Sequence, residues 1–216
     1  MSVSKTIVIS CAGMGTRLGI GTTKCLIDID GKPLIIRQLE LLKDYDDIRI
    51  VVGYQMDKVI EVVKNYRKDV LFVCNRNYRN TGTGGSFSLA MKHAGELIVS
   101  LDGDLLVHPD DLRMVLESDN ECVCGSDIGT DDPMKMKTIQ KDGKIYGVGF
   151  SREEGEYEWT GLAQVKTARL TPGDRHVCDM MEPLMPLEMI KIRTREVDTM
   201  ADYEHAVEWV KNGYKD

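Results

Sequence analysis

Apolar and polar residues follow two periods along this chain. The run "TIVIS" (6–10) is short and continuously apolar, as in a strand buried on both faces. "PLIIRQLELLKDY" (33–45) spaces its apolar residues helically and has a proline in its first turn, which predicts a helix. The alternation continues with a strand over 48–54 and a helix over 57–66 that opens on Asp57. A strand over 69–74, a helix over 85–94, a strand over 96–104, a helix over 108–118 and a strand over 120–126 follow. Beyond 126 the rhythm changes. Residues 135–151 read as a hairpin turned at Asp142-Gly143, and 158–165 as another strand. The chain closes with a helix near 178–189, a strand over 190–198 and a helix over 200–212.

Continuous apolar strands between amphipathic helices require a sheet covered on both faces. The expected fold is therefore α/β, a Rossmann-like three-layer, mostly parallel sheet with an added antiparallel β region in the second half, placed over one end of the sheet. The 216 residues fit one domain, 1–216, divided where the rhythm changes into halves of about 1–126 and about 127–216.

Composition narrows the function. Hydrophobic content of 42% and charged content of 29% are ordinary for a globular protein. No apolar run nears the roughly 20 residues needed to span a bilayer, and the N-terminus lacks a signal-peptide layout. The expectation is a cytoplasmic protein without membrane partners. A net charge of -7 disfavours a nucleic-acid surface, and any polyphosphate ligand has to be held by local cations against the overall field. The six cysteines form no CxxC pair. Reduced, mostly buried thiols are expected, with Cys11 a small residue beside a ligand rather than a nucleophile.

Behind the first strand lies "SCAGMGTRLGIGTTKCLID" (10–28), with four glycines, an arginine and a lysine. Gly13, Gly15 and Gly19 give G-x-G-x-x-x-G, one residue too many for the dinucleotide fingerprint. "GTTKC" lacks the glycine before lysine that Walker A requires. A glycine loop turns backbone N–H groups toward phosphate, Arg17 adds a planar fork and Lys24 a mobile point charge. A tight strand-to-helix turn needs glycines too, but not both cations. At the end of a later strand, "SLDGDLLV" places Asp102 and Asp104 two residues apart, an oxygen-rich corner suited to Mg²⁺ or a solvated Asp-Gly turn. "REVDTMADYEHA" holds Glu196, Asp198 and Asp202, the last also placed to complement a helix dipole.

"CAGMGTRLG" followed by "TKCLIDIDGKPLI" resembles the signature of the nucleotidyltransferases that make nucleotide-activated sugars, polyols and amino alcohols. The likeness is detailed over 10–34 and continues more loosely through "GTGG", "LDGD" and "EVDTMADYEHA". Thr23 departs from it, since the family has proline before the lysine. The resemblance implies that Arg17 and Lys24 are catalytic, and that Ala12, Gly13, Gly15 and Thr16 cradle the triphosphate. It implies Mg²⁺ on Asp104 and Asp198, with Asp102 and Glu196 as supporting residues or weaker candidates and Asp102 also counted as substrate-binding. It makes about 1–126 the nucleotide-binding half and about 127–216 the acceptor-binding, C-terminal half.

"NRNYRNTGTGGSFSLA" (75–90) offers Gly82, Thr83, Gly84, Gly85 and Ser86 to a flat base, or is a flexible loop and helix cap with Ser86 as the cap, and the resemblance favours the base. "YEWTGLA" offers Tyr157, Trp159, Thr160 and Gly161 to the acceptor, with Trp159 a stacking or cation-binding face or a packing residue. Lys135 and Lys137 share one face of their strand, as acceptor-phosphate contacts or a solvated pair. His93, His108, His176 and His205 all lie outside these motifs.

The implied reaction is attack by an acceptor phosphate on the α-phosphorus of a nucleoside triphosphate. The substrates expected are CTP and a small phosphorylated alcohol such as phosphocholine or a polyol phosphate, handled by a monomer or homodimer. Hexose- or heptose-1-phosphate acceptors with GTP, UTP or dTTP are the alternative within the family. The molybdenum-cofactor guanylyltransferases, which share the opening loop, are more distant. A catalytically silent nucleotide-binding module is the alternative from another class.

Overall fold

The computed structural model describes residues 3–15 and 21–215. The first half runs β1 (Lys5–Cys11), a 3-10 turn (Lys24–Leu26), the two-residue strands β2 (Asp28–Ile29) and β3 (Lys32–Pro33), α1 (Leu34–Leu41), β4 (Ile48–Val52), α2 (Met56–Tyr66) and β5 (Leu71–Cys74). It continues with α3 (Thr83–Ala90), β6 (Leu97–Asp102), β7 (Leu105–Val107), α4 (Pro109–Glu117) and β8 (Cys122–Ser126). The second half contains β9 (Lys135–Lys141), β10 (Lys144–Ser151), β11 (Tyr157–Lys166), α5 (Val177–Met181), β12 (Leu187–Lys191), β13 (Thr194–Glu196) and α6 (Met200–Lys211).

Nine strands form one mixed sheet in the order β5-β4-β1-β6-β11-β8-β12-β10-β9. β1 pairs in parallel with β4 and β6, and β4 with β5, as the apolar runs imply. Side chains alternate between two cores, so each strand needs apolar residues throughout. Ile7 and Ile9 pack with Leu39 of α1, Val59 of α2 and Val115 of α4, whereas Val8 packs with Phe87 of α3 and Met181 of α5. This is the expected three-layer α/β arrangement.

The second half differs from expectation in three places. Its antiparallel strands do not cap one end of the sheet. β11 inserts between β6 and β8, antiparallel to both, and the β9–β10 hairpin extends the far edge. The hairpin does turn at Asp142-Gly143, both at positive φ. The helix expected over 178–189 stops at Met181, passes through a 3-10 turn at Glu182–Leu184, and gives way to β12. Pro183 and Pro186 lack the N–H groups a longer helix would need. The strand expected over 190–198 is two strands in different sheets. β12 joins the main sheet, and β13 pairs antiparallel with β7, setting Glu196 opposite Leu105.

Candidate active site

Parallel pairing of β1 with β6 sets Ser10 opposite Asp102, so the glycine loop and the first acidic corner leave neighbouring strand ends on the same edge. This is where open α/β sheets bind ligands. The β13–β7 pair then brings the late acidic motif to the same corner. A cavity of about 780 Å³ opens there, lined among others by Gly13, Lys24, Asp104, Trp159 and Asp198. A second cavity of about 870 Å³ adjoins it, sharing the wall of Glu158, Trp159 and Thr160. The first holds the cation and carboxylate cluster and is the candidate reaction site.

Oxygens of Asp104, Glu196 and Asp198 lie within 4.8 Å of one another. The Lys24 ammonium donates to Asp104 Oδ2 at 2.7 Å and also to Asp198 Oδ1. All the candidate ligands are hard carboxylate oxygens, the donor type Mg²⁺ prefers, and Asp198 is 8% exposed, so the set fits a divalent ion. Glu196 lies in one cluster with the two aspartates that the resemblance assigns to the ion.

Asp102 sits apart from that triplet. Its carboxyl lies against Gly161, which holds φ +80 in the left-handed region. A Cβ at 161 would come within 2.8 Å of Asp102 Cγ, so only glycine admits this approach. Burial, then the charges of Asp104 and Glu196, push the Asp102 carboxyl up to about 8, although Lys24 opposes them. Asp102 Oδ1 is buried without a hydrogen-bond partner. With no cation bound, burial and these charges favour the protonated form of Asp102 near neutral pH. Cys11 also lines the cavity; the Cys25 thiol and burial hold its thiol well above the usual range, leaving it neutral.

The other expected residues divide. Ala12, Gly13 and Gly15 line the cavity, whereas Thr16, Arg17 and Gly19 lie outside the described residues. Gly82, Thr83 and Ser86 line it, but Gly84 and Gly85 do not. A Cβ at Gly84 would meet His176 O at 2.8 Å, and one at Gly85 the Thr81 Cβ at 2.7 Å. The "GTGG" glycines therefore admit tight packing around the start of α3. Trp159, Thr160 and Gly161 line the cavity, and the Trp159 ring meets Phe150 edge-on at 5.2 Å. Tyr157 is half-buried and not on the cavity wall.

Lys135 and Lys137 share one strand face, with Met136 buried on the other, but neither lines the cavity. Lys135 Nζ donates to Glu153 O at 3.1 Å, and Lys137 pairs with Glu154 at 2.9 Å. Missed from the sequence were Tyr78, Arg152, His176, Asp131 and Asp132, all on the cavity wall. Arg152 follows β10 and donates to Asp132 O at 2.6 Å; its place beside the acidic run 153–154 was the available signal.

The profile of the MobA-like NTP transferase domain matches residues 7–138. The chain belongs to this family. It is therefore a nucleotidyltransferase domain. The bifunctional protein GlmU of Sulfurovum sp. is 30% identical over 180 residues, 79% of this chain and 41% of that protein. GlmU of Methanococcus maripaludis is 28% identical over 84% of this chain and 43% of its own. The chain thus spans less than half the length of these curated relatives.

Among solved structures, the inositol-1-phosphate CTP transferase of T. maritima superposes with a TM-score of 0.74 at 17% identity, covering 100% of this chain and 99% of that one. HddC of Yersinia pseudotuberculosis complexed with GMP-PN gives 0.73 at 20% identity, covering 96% and 99%. The CTP:phosphocholine cytidylyltransferase LicC of Streptococcus pneumoniae gives 0.71 at 18%, covering 96% and 100%. At these identities the likeness shows a shared fold. Among the described residues, no helix is long and apolar enough to cross a membrane.

Proposed function

We propose that this domain transfers a nucleoside monophosphate from a nucleoside triphosphate, with CTP favoured, to a small phosphorylated alcohol, releasing pyrophosphate. The observation that carries the reading is the meeting of Lys24 with Asp104, Glu196 and Asp198 beside the glycine loop. Asp104 and Asp198, joined by Glu196, would hold Mg²⁺, which when bound supplies charge neutralisation of the phosphates.

The chain's own groups account for the rest. A phosphate monoester has its second pKa near about 6, so the attacking oxygen needs no general base. Catalysis is then positioning and charge stabilisation. Backbone N–H groups of the loop around Gly13 and Gly15 hold the triphosphate. Lys24, with Arg17 from the same loop, neutralises the charge that builds as pyrophosphate leaves. Thr83 and Ser86 face the base. Buried Ser86 Oγ accepts from Asn75 Nδ2 at 3.0 Å, which fixes its orientation.

Asp102 lines the acceptor side. Trp159 with Asp131 and Asp132 nearby favours a cationic amino-alcohol phosphate. Arg152, rather than Lys135 or Lys137, contacts the acceptor phosphate in this reading, because it alone of the three lines the cavity. The fold shared with the CTP transferases supports CTP; a similar likeness to a putative glucose-1-phosphate thymidylyltransferase of Bacillus anthracis (TM-score 0.76, 17% identity, covering 97% of this chain and 96% of that one) keeps a sugar-1-phosphate acceptor as the second reading. The protein would act in the cytoplasm as a monomer or homodimer.

The test is a matrix of four nucleoside triphosphates against phosphocholine, polyol phosphates and sugar 1-phosphates, with Mg²⁺, read by pyrophosphate release. Release is expected only with nucleotide and acceptor together, strongest with CTP. Stabilisation by nucleotide with no release from any pair would replace this reading with a silent nucleotide-binding module.

A further inference from the structure

The core-facing stripe of α1 runs Leu34, Ile35, Gln38, Leu39, and all four are buried. Gln38 puts an amide where the helical period calls for an apolar side chain. It is 3% exposed, and its Oε1 has no hydrogen-bond partner. A buried amide half unsatisfied is unfavourable unless its other half matters. Both donors of that half go to one place. Gln38 Nε2 donates to Asp102 O and to Leu105 O, each at 2.8 Å. These two carbonyls bracket the tight turn between β6 and β7, whose third residue is Asp104. On its other side the turn is tied to β1, through Gly103 N donating to Ser10 O at 3.0 Å.

Helix α1 also fixes the other half of the ion pair. Leu34 N, at its first residue, donates to Ile27 O at 2.9 Å, which anchors the segment leading away from Lys24. One helix is thus the shared reference for Lys24 and for Asp104, whose side chains meet at 2.7 Å.

We propose that Gln38 is a positioning residue for the metal–nucleotide site: its amide clamps the 102–105 turn and so sets Asp104 against Lys24 and Asp198. This role rests on the metal assignment proposed above. Removing an outer partner of a metal ligand typically costs about 10- to 100-fold in affinity or activity.

The test uses the full chain and Mn²⁺ alone as probe, with affinity read by electron paramagnetic resonance, comparing wild type, Gln38→Met and Asp104→Asn. Gln38→Met keeps the shape and removes both hydrogen bonds. Expected is a loss of about 10-fold or more in Mn²⁺ affinity. A matching loss in kcat/KM for the metal–nucleotide is expected, with the acceptor KM within about twofold. Wild-type Mn²⁺ affinity in Gln38→Met, with affinity lost in Asp104→Asn, overturns the role of Gln38 alone. Wild-type affinity in both overturns the metal assignment and this role with it. A uniform rise in both KM values with a lowered melting temperature reduces Gln38 to a packing residue. If Gln38→Met does not fold, nuclear magnetic resonance of the wild-type Gln38 side-chain amide decides: its signals are expected to shift with the Asp104 amide as Mg²⁺ is added, and unmoved signals overturn the proposal.

Discussion

Gly161→Ala tests how closely β11 is fitted to the acidic corner. Gly161 holds φ +80, where an L side chain is disfavoured by about 1–2 kcal/mol. The new methyl would lie 2.8 Å from Asp102 Cγ, nearer than real Cβ atoms settle, and in a tight contact of 3.3 Å with its Cβ. Overpacking of this kind costs about 1–3 kcal/mol, since either the carboxyl leaves its place or the strand moves. Together the expected loss is about 2–5 kcal/mol, or a melting temperature lower by about 4–20 °C for a domain of this size. Urea unfolding would read it as a lower midpoint with an unchanged slope. The two contributions are separable. On an Asp102→Ala background the overlap with Cγ is gone and only the 3.3 Å approach to Cβ stays, so a loss close to the backbone part of about 1–2 kcal/mol is expected. A loss below about 0.5 kcal/mol, the range of a neutral surface change, or an equal loss on both backgrounds would refute the close approach described here.

Two other predictions concern the charged groups. If Asp104 and Asp198 hold a divalent ion as proposed, Lys24 competes with it for their oxygens. Lys24→Met is therefore expected to bind Mn²⁺ more tightly without nucleotide, yet to release pyrophosphate about 100- to 1,000-fold more slowly; weaker Mn²⁺ binding would contradict the shared ligand set. Asp102, pushed up to about 8, keeps its proton in the folded chain at pH values where the unfolded chain has lost it. In chelator-treated protein the folded state then binds more protons between about 4 and about 8, so stability falls as pH rises through that window. Asp102→Asn is expected to flatten this slope in urea titrations at pH 5, 6, 7 and 8, buffer values chosen to span about that window; an unchanged slope would mean another group carries it.

Much of the scaffold was legible because its signals are local. Continuous apolar strands and amphipathic helices up to residue 126 fold as their periods imply, since each strand sends side chains into two cores. The long-range pairing of β7 with β13 was not legible. Three-residue strands carry no period, and nothing near 103–107 points to 194–196. Alternation correctly put Lys135 and Lys137 on one face, but which face meets the cavity depends on how the sheet curves. The "GTGG" glycines pointed to close approach; the partner of Gly84 turned out to be the His176 backbone, about 90 residues away, and such distant approaches leave no mark in local spacing. Gln38 did leave a signal, a polar residue inside an apolar helical stripe, and only the neighbouring carbonyls give it meaning.

The central claim is that Asp104, with Asp198 and Lys24, supports transfer of a nucleotide to a phosphorylated acceptor. The most direct measurement follows label from the α-phosphate of CTP, with Mg²⁺ and phosphocholine or a polyol phosphate, in wild type and in folded Asp104→Asn. The account predicts labelled nucleotide–acceptor product from wild type and almost none from the variant. Label transfer by Asp104→Asn at the wild-type rate would contradict it.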